Sequence, residues 1–449
     1  MYISMADRTG GKKDTDTAAS PSVSDTAFRL SPVILWLGIV SMATDISSES
    51  VAAILPLYVT GFLGLSTIAF GFIDGLNQGA SAIVRIAAGW ASDRTGHPKR
   101  VAVAGYGLSM LARVGLLFAG GFVSLIGIIA GDRIGKGIRT APRDALISAV
   151  AQPQYLARSF GVHRMLDNIG AATGPLLAFL ILLLIPNGFH TVFVVSLAFA
   201  VLGVAALFLV VPDVRTPRAA KQSKRARPAF TWSQLKDPGL TRLLVTAGLL
   251  ALLTVGDGFI YLVLQARDSF AVQWFPLLYV GTNVVYLVLA VPLGRLADRW
   301  GRVRVFLGGH LALLACYLLA AAPFGGLGMT LACLVLLGLF YAATDGVLAA
   351  LASRLVSPEK VATGIGAAQT VVALCRMAAS AGFGILWFAI GAAPAMLAAA
   401  VALAAALAAT ALLMRNSKER TSEERTSTEG TAEDRSSQEH SSQEQGTGA

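Results

Sequence analysis

GWASDRTGHPKRV, from Gly89 to Val101, returns as GRLADRWGRVRV from Gly294 to Val305. A Gly-x-x-x-Asp-Arg-x-Gly core thus recurs at an offset of 205 residues. One such loop is simply a solvated turn, but two copies at that spacing divide the chain into matching halves. In each copy the glycines permit tight turning and close backbone approach. The aspartate suits a neighbouring helix N-terminus, and the arginine offers a bidentate partner. A weaker echo pairs RDALISAV at Arg143–Val150 with TDGVLAAL at Thr344–Leu351.

Both loops interrupt an apolar chain. Of its 449 residues, 55% are hydrophobic and 14% are charged, where a soluble domain carries about 25% charge. At roughly 20 apolar residues per crossing, that content supplies about a dozen membrane spans. Disorder, collagen and a disulfide framework are excluded. The net charge of +10 does not indicate a nucleic-acid partner, because the positive residues concentrate in loops between apolar segments. Cys316, Cys333 and Cys375 lie within such segments without metal-ligand spacing and read as small packing residues. Residues 1–31 lack the basic, apolar, small-residue progression of a cleavable signal, so the first apolar segment is expected to remain as a span.

The expected fold is all-α, with spans near 32–60, 66–90, 99–120, 122–149, 158–185, 189–211, 239–264, 271–293, 304–322, 329–355, 361–388 and 391–414. The fourth is the least apolar. Its opening, GGFVSLIGIIAG, enters a bilayer cleanly, and DRIGKGIRTAPRDALISAV must continue the helix or fold back; a continued helix keeps the path alternating. Arg94, Lys99 and Arg100 follow span two; Arg215 through Arg227 and Lys236 follow span six; Arg295, Arg299, Arg302 and Arg304 follow span eight. The opposite loops carry only Arg267. The positive-inside bias then places both termini in the cytoplasm. Residues 32–211 form one six-helix bundle and 239–414 the second, with a basic linker at 212–238. The tail, 415–449, has eight acidic and five basic residues and no packing stripe, so it reads as disordered.

The duplicated loop, through Gly89, Asp93, Arg94, Gly96 and Arg100 and again through Gly294, Asp298, Arg299, Gly301 and Arg302, resembles the hallmark loop of major facilitator superfamily transporters. The resemblance extends to about residue 414. It implies two six-helix bundles that rock about a central cavity, with these loops holding the cytoplasmic side closed. Arg133 and Gly137 resemble that family's Arg-x-x-x-Gly pattern on the fourth helix, whose arginine is associated with proton coupling in some members. GKGIRTAPRDAL, within the same span, is similar to a run in one poorly characterised bacterial group, which points to an inner or plasma membrane.

Charge inside an apolar span is costly and marks function by default. Asp45 and Glu49 are four residues apart and share a helical face. Two like charges so close in a low-dielectric cavity are hard to ionise together, which makes them proton-coupling candidates with Asp74 and Arg133. Arg133, Lys136, Arg139 and Arg143 form one stripe, flanked by Asp132 and Asp144, and Pro142 is expected to kink the helix near residue 138. Arg133 belongs near mid-membrane, and Arg133 and Arg139 both read as candidates for the cavity. Arg143 and Asp144 lie towards the cytoplasmic rim, where gating outweighs solute contact. Arg113, Arg139, Asp257, Asp345 and Arg376 are substrate-cavity candidates, with Asp257 or Asp345 available to neutralise Arg376. Asp93, Arg94, Arg100, Asp298, Arg299 and Arg302 are gating candidates.

Gly170, Gly174 and Pro175 resemble the Gly-x-x-x-Gly-Pro core of a motif associated with exporters in the family. The downstream glycines are replaced by LLAF, and a small-residue helix contact accounts for the same residues. Asp167 can pair with a span-four arginine, and His163 reads as structural. GDRIGKGIRT lacks the Walker pattern and follows no strand, which argues against ATP hydrolysis. The five histidines are too scattered for a ligand cluster. The sequence therefore points to a non-enzymatic secondary transporter without metal or cofactor, acting as a monomer on a small solute and protons. Proton-coupled export of an amphiphilic or cationic compound is the first expectation. Uptake or exchange of an organic anion through the buried arginines is the second, and a receptor or lipid scramblase the third.

Overall fold

The computed structural model describes residues 31–95, 97–213, 238–356 and 361–410. Among them there is no strand. Helices α1 (Pro32–Leu57), α2 (Thr67–Thr95), α3 (Pro98–Leu116), α4 (Phe122–Val150), α5 (Leu156–Leu184) and α6 (Phe189–Leu209) form the first bundle. The second contains α7 (Pro238–Leu252), α8 (Asp257–Asp268), α9 (Pro276–Trp300), α10 (Arg302–Ala320), α11 (Leu327–Arg354), α12 (Val361–Ile390) and α13 (Ala392–Thr410). Since α7 and α8 are halves of one span, twelve spans build two six-helix bundles. Nine spans among the described residues are long and apolar enough to cross a membrane by length and composition; the more highly charged α2, α3 and α4 are not among them.

Two expectations about individual spans are settled here. The fourth does not fold back: α4 is continuous through Pro142 to Val150. The seventh is not continuous, because the chain leaves the helix over residues 253–256. Gly256 at its end weakens the helical preference. The Tyr317 hydroxyl then takes over the freed backbone, accepting from Val255 N at 2.7 Å and donating to Leu253 O at 3.1 Å. Buried backbone groups in a membrane need such partners.

The repeat is visible in the packing. Within the bundles α1 lies on α5 and α6, α3 on α4, and α10 on α11. Between them the main contacts are α2 with α12 and α5 with α9. These are spans two with eleven and five with eight, pairs that exchange when each half is replaced by the other. In the second copy of the duplicated loop, α9 ends at Trp300 and α10 begins at Arg302, with Gly301 between them at φ +100°. A residue with a β-carbon is strained in that conformation, which explains the glycine. The two segments of the weaker echo occupy the last turns of α4 and α11, spans four and ten.

The bundles touch at the end away from the basic loops. Gly71 on α2 lies against the backbone of Ser380 and Gly384 on α12, and Thr67 donates to Gly384 O at 3.1 Å. Above this seam Phe70 meets Phe259 edge-on at 4.7 Å, and Phe259 also packs against Phe383 at 5.0 Å. Phe179 and Trp274 add a contact at 5.4 Å between α5 and the chain entering α9.

Candidate functional site

Charge is matched closely in the first bundle. Helices α1 and α4 run in opposite directions, so one turn forward on α1 corresponds to one turn back on α4. Arg139 Nη2 therefore faces Asp45 Oδ1 and Lys136 Nζ faces Glu49 Oε1, each at 3.8 Å. Arg139 is steadied by a bond to Ser109 Oγ at 2.9 Å and by the Tyr106 ring, 4.8 Å from its guanidinium. The proton-coupling candidates Asp45 and Glu49 are thus each paired with a base.

Deeper in the same bundle Asp132 is 1% exposed and faces two guanidinium groups, Arg133 at 2.6 Å and Arg113 at 3.0 Å. Arg113 also donates to Ser47 Oγ at 3.3 Å and Ser48 Oγ at 3.2 Å. It ties α3 to α1 and α4 from a fully buried position rather than standing in an open cavity. The importance of Asp132 was hidden in the sequence, where it is one acid flanking a basic stripe. What could have exposed it is its place one residue before Arg133, on a helix too charged to be lined by lipid.

Arg143 joins α4 to α5 and α1. It meets Asp144 at 3.1 Å, Asp167 at 3.6 Å and Ser41 Oγ at 2.9 Å, and His163 lies 3.7 Å from Asp167. All these partners belong to one bundle, so in this conformation neither Arg143 nor Asp144 bridges the two halves. Gly170 and Gly174 are also internal to that bundle. A β-carbon on either would fall within 3 Å of the α1 backbone, at Met42 O or at Ser50 N, and α5 continues through Pro175.

The side chains of Asp93 and Arg94, together with Gly96, lie outside the described residues, as do most of the basic linker and the tail. Arg100 is exposed and 3.9 Å from Asp213, beyond the end of α6. Its neighbour Lys99 caps that helix through the carbonyls of Phe208 and Val211. In the second copy Arg302 pairs with Asp298 at 3.0 Å and donates to Ala350 O at 2.7 Å, linking α10 to α9 and α11, while Arg299 is exposed.

The second bundle has few charges, and they are not joined in the same way. Asp257 opens α8 and accepts a hydrogen bond from the Tyr341 hydroxyl at 2.5 Å. Arg376 stands over the rings of Phe340 at 5.7 Å and Tyr341 at 5.5 Å. No carboxylate lies within 4 Å of its guanidinium among the described residues, and its buried Nε has no hydrogen-bond partner. Neither Asp257 nor Asp345 neutralises it by contact. Arg376 borders a small space, with an enclosed volume of about 30 Å³, together with Asp345, His310, Phe306 and Phe340. It also borders a narrow crevice with Gln78, Thr254, Tyr341 and Ser380.

At the seam, Asp74 on α2 is 8% exposed and accepts a hydrogen bond from Ser380 Oγ on α12 at 2.6 Å. No cation lies within 4 Å of it among the described residues. Its carboxylate points at the break in span seven, and Gly256 leaves the space it occupies: a β-carbon there would collide with Asp74 Oδ2. Ser380, Tyr341 and His310 complete these sites and carry no sequence signal, since hydroxyls and a lone histidine on apolar helices read as packing residues.

Comparison with known proteins gives a consistent result. Residues 35–283 and 259–441 match the family described as Major Facilitator Superfamily. An uncharacterised transporter of that type from Methanocaldococcus jannaschii is 29% identical over 366 residues, covering 80% of this chain and 89% of the relative. An uncharacterised protein from Mycobacterium tuberculosis is 30% identical over 140 residues, 31% of this chain and 34% of its own. Among solved structures, a POT family transporter in complex with 5-aminolevulinic acid aligns with TM-score 0.72 at 12% identity, over 84% of this chain and 95% of that one. The nucleoside transporter NupG aligns with TM-score 0.68 at 15% identity, over 86% and 99%.

Proposed function

The chain belongs to the Major Facilitator Superfamily, a family of membrane transporters and not of enzymes, and on that premise we propose that it couples proton movement to export of a small amphiphilic or cationic compound by alternating access. The bundles at 32–211 and 239–414 rock as units in a bacterial inner membrane, with both termini in the cytoplasm. The contact of α2 with α12 then seals the outer side.

The observation that carries the proton reading is Asp74. It is a buried carboxylate at the bundle–bundle contact, bonded to Ser380 and without a cation within reach. Leaving such a group charged in a dry seam is expensive. A proton removes that cost when the seam closes, and water meets the group when it opens, so the seam can load and release protons as the bundles move. Asp45 and Glu49 have bases 3.8 Å away, which supports a secondary role in tuning the same cycle.

The test is proton movement in liposomes holding the full chain under an imposed pH gradient, with cationic, zwitterionic and anionic solutes added in turn. Solute-dependent dissipation that vanishes in Asp74→Asn supports coupling. Solute flux measured independently, with no proton movement or with wild-type coupling in Asp74→Asn, rejects it. Arg376, unpaired in its cavity, favours a second reading: exchange of organic anions without protons. The same assay identifies that reading by anion flux insensitive to the gradient.

A further inference from the structure

Arg376 and Asp345 present opposite charges to one cavity without pairing with each other. We propose that the cavity between α7, α10, α11 and α12 is a solute subsite for a zwitterion with an apolar body. In it Arg376 receives the acidic group, Asp345 receives the amine, and the aromatic wall of Phe306, His310 and Phe340 runs along the body. The inference rests on the transporter reading above but not on proton coupling, and it names the solute class.

The arginine is held in a particular way. Its guanidinium stands over the Phe340 and Tyr341 rings, an arrangement that stabilises the cation through the ring faces while leaving its edge donors uncommitted. The neighbouring Tyr341 hydroxyl gives its hydrogen to Asp257, and Arg376 Nε has no acceptor among the described residues. A buried donor without a partner is costly, and here the unmatched Nε belongs to a group bordering empty space. A carboxylate or phosphonate in the cavity completes the fork. Asp345 borders the same space and has no base within 4 Å among the described residues, so an ammonium group completes it likewise.

The walls between the charges are aromatic. Phe306 and His310 pack at 4.8 Å, and His310 meets Phe340 edge-on at 5.2 Å. His310 Nδ1 lies 2.9 Å from Phe306 O, which fixes its ring as part of the wall. The enclosed part of this space is only about 30 Å³, with Asp345 exposed at its edge, so the charged groups of one small solute are gripped here while its body lies along the aromatic wall towards the opening. Arg376 and Thr254 also border the narrow crevice that reaches Gln78 and Ser380. A solute gripped by Arg376 therefore sits beside the Asp74–Ser380 contact, where occupancy can be felt by the seam.

Three probes with one carbon skeleton separate the charges: phenylalanine, 2-phenylethylamine and 3-phenylpropionate. Their binding to the purified full chain in nanodiscs is measured by calorimetry, with no gradient imposed. Phenylalanine is expected to bind about tenfold or more tightly than either singly charged probe. Arg376→Gln should weaken phenylalanine and 3-phenylpropionate by a similar factor and leave 2-phenylethylamine unchanged. Asp345→Asn should do the reverse, and Arg376→Lys should restore part of the acid binding. Melting of each variant checks that it is folded. Equal binding of a singly charged probe, identical binding by both neutral variants, or no binding of any probe by folded protein overturns the proposal. None of these outcomes touches proton coupling, which stands or falls on Asp74→Asn in the gradient assay.

Discussion

Replacing Gly71 by alanine tests the seam at the point where it has least freedom to adjust. The added carbon would lie 2.6 Å from Ser380 O and 3.1 Å from Gly384 Cα, where ordinary contact begins near 3.4 Å. Both obstacles are main-chain atoms of α12, so no rotamer change relieves the clash and the helices themselves must separate by most of an ångström. Overpacking of this kind costs about 1–3 kcal/mol. Only the conformation in which α2 and α12 touch bears that cost, and a conformation in which they part bears none. The balance should therefore move towards the open seam by about 5- to 150-fold. Spin labels at Ser66→Cys and Ala393→Cys, both exposed and at the seam end of different bundles, report the separation in a background where Cys316, Cys333 and Cys375 are replaced. Gly71→Ala should transfer population from the short to the long distance. Gly346→Ala, whose added carbon meets nothing within 4 Å, should leave the distribution alone. An unchanged distribution in folded Gly71→Ala protein would refute the argument that this contact is the closed gate.

Three further outcomes follow from the charge network. Asp132→Asn strands Arg113 and Arg133 in a dry interior and should lower stability by about 3–5 kcal/mol, seen as a depressed melting temperature in detergent; an unshifted melt rejects the pairing. Asp45→Arg and Arg139→Asp should each destabilise, and the double reversal should recover about 0.5–3 kcal/mol of coupling. Strict additivity in that cycle means the two side chains do not interact. Tyr341→Phe removes the donor to Asp257 and should cost about 1.5–3 kcal/mol, and a neutral result in thermal melts shows that the bond contributes nothing.

The span pattern and the division into halves were legible because they depend on local chemistry: apolar length, loop charge and a loop motif occurring twice. Gly301 could be read as a turn residue for the same reason, since positive φ is a property of one residue and its neighbours. The partner of each charge was not legible. Asp45 and Glu49 could be placed on one face of α1, and Lys136 and Arg139 on one face of α4. That the two faces meet in antiparallel register depends on how α1 sits against α4, which no single helix encodes. The break in span seven was missed because its cause is distant: Tyr317, on α10, replaces the hydrogen bonds that residues 253–256 give up. Asp74 could be named as a buried acid, but its bond to Ser380 spans 306 positions of sequence.

The matched charges of the first bundle also bear on how this protein enters its membrane. Helix α4 carries Asp132, Arg133, Lys136, Arg139, Arg143 and Asp144, and insertion scales assign about 2.5–3.5 kcal/mol to each charged residue placed at a helix centre. Presented alone to the insertion machinery, it is a poor transmembrane segment, and α2 and α3 also fall short on apolarity. Most of its counter-charges arrive earlier in synthesis, on α1 at Asp45 and Glu49 and on α3 at Arg113, and Asp167, which meets Arg143, follows on α5. The first four helices are therefore expected to leave the exit site together, largely paired, which makes the order of translation a condition for integration.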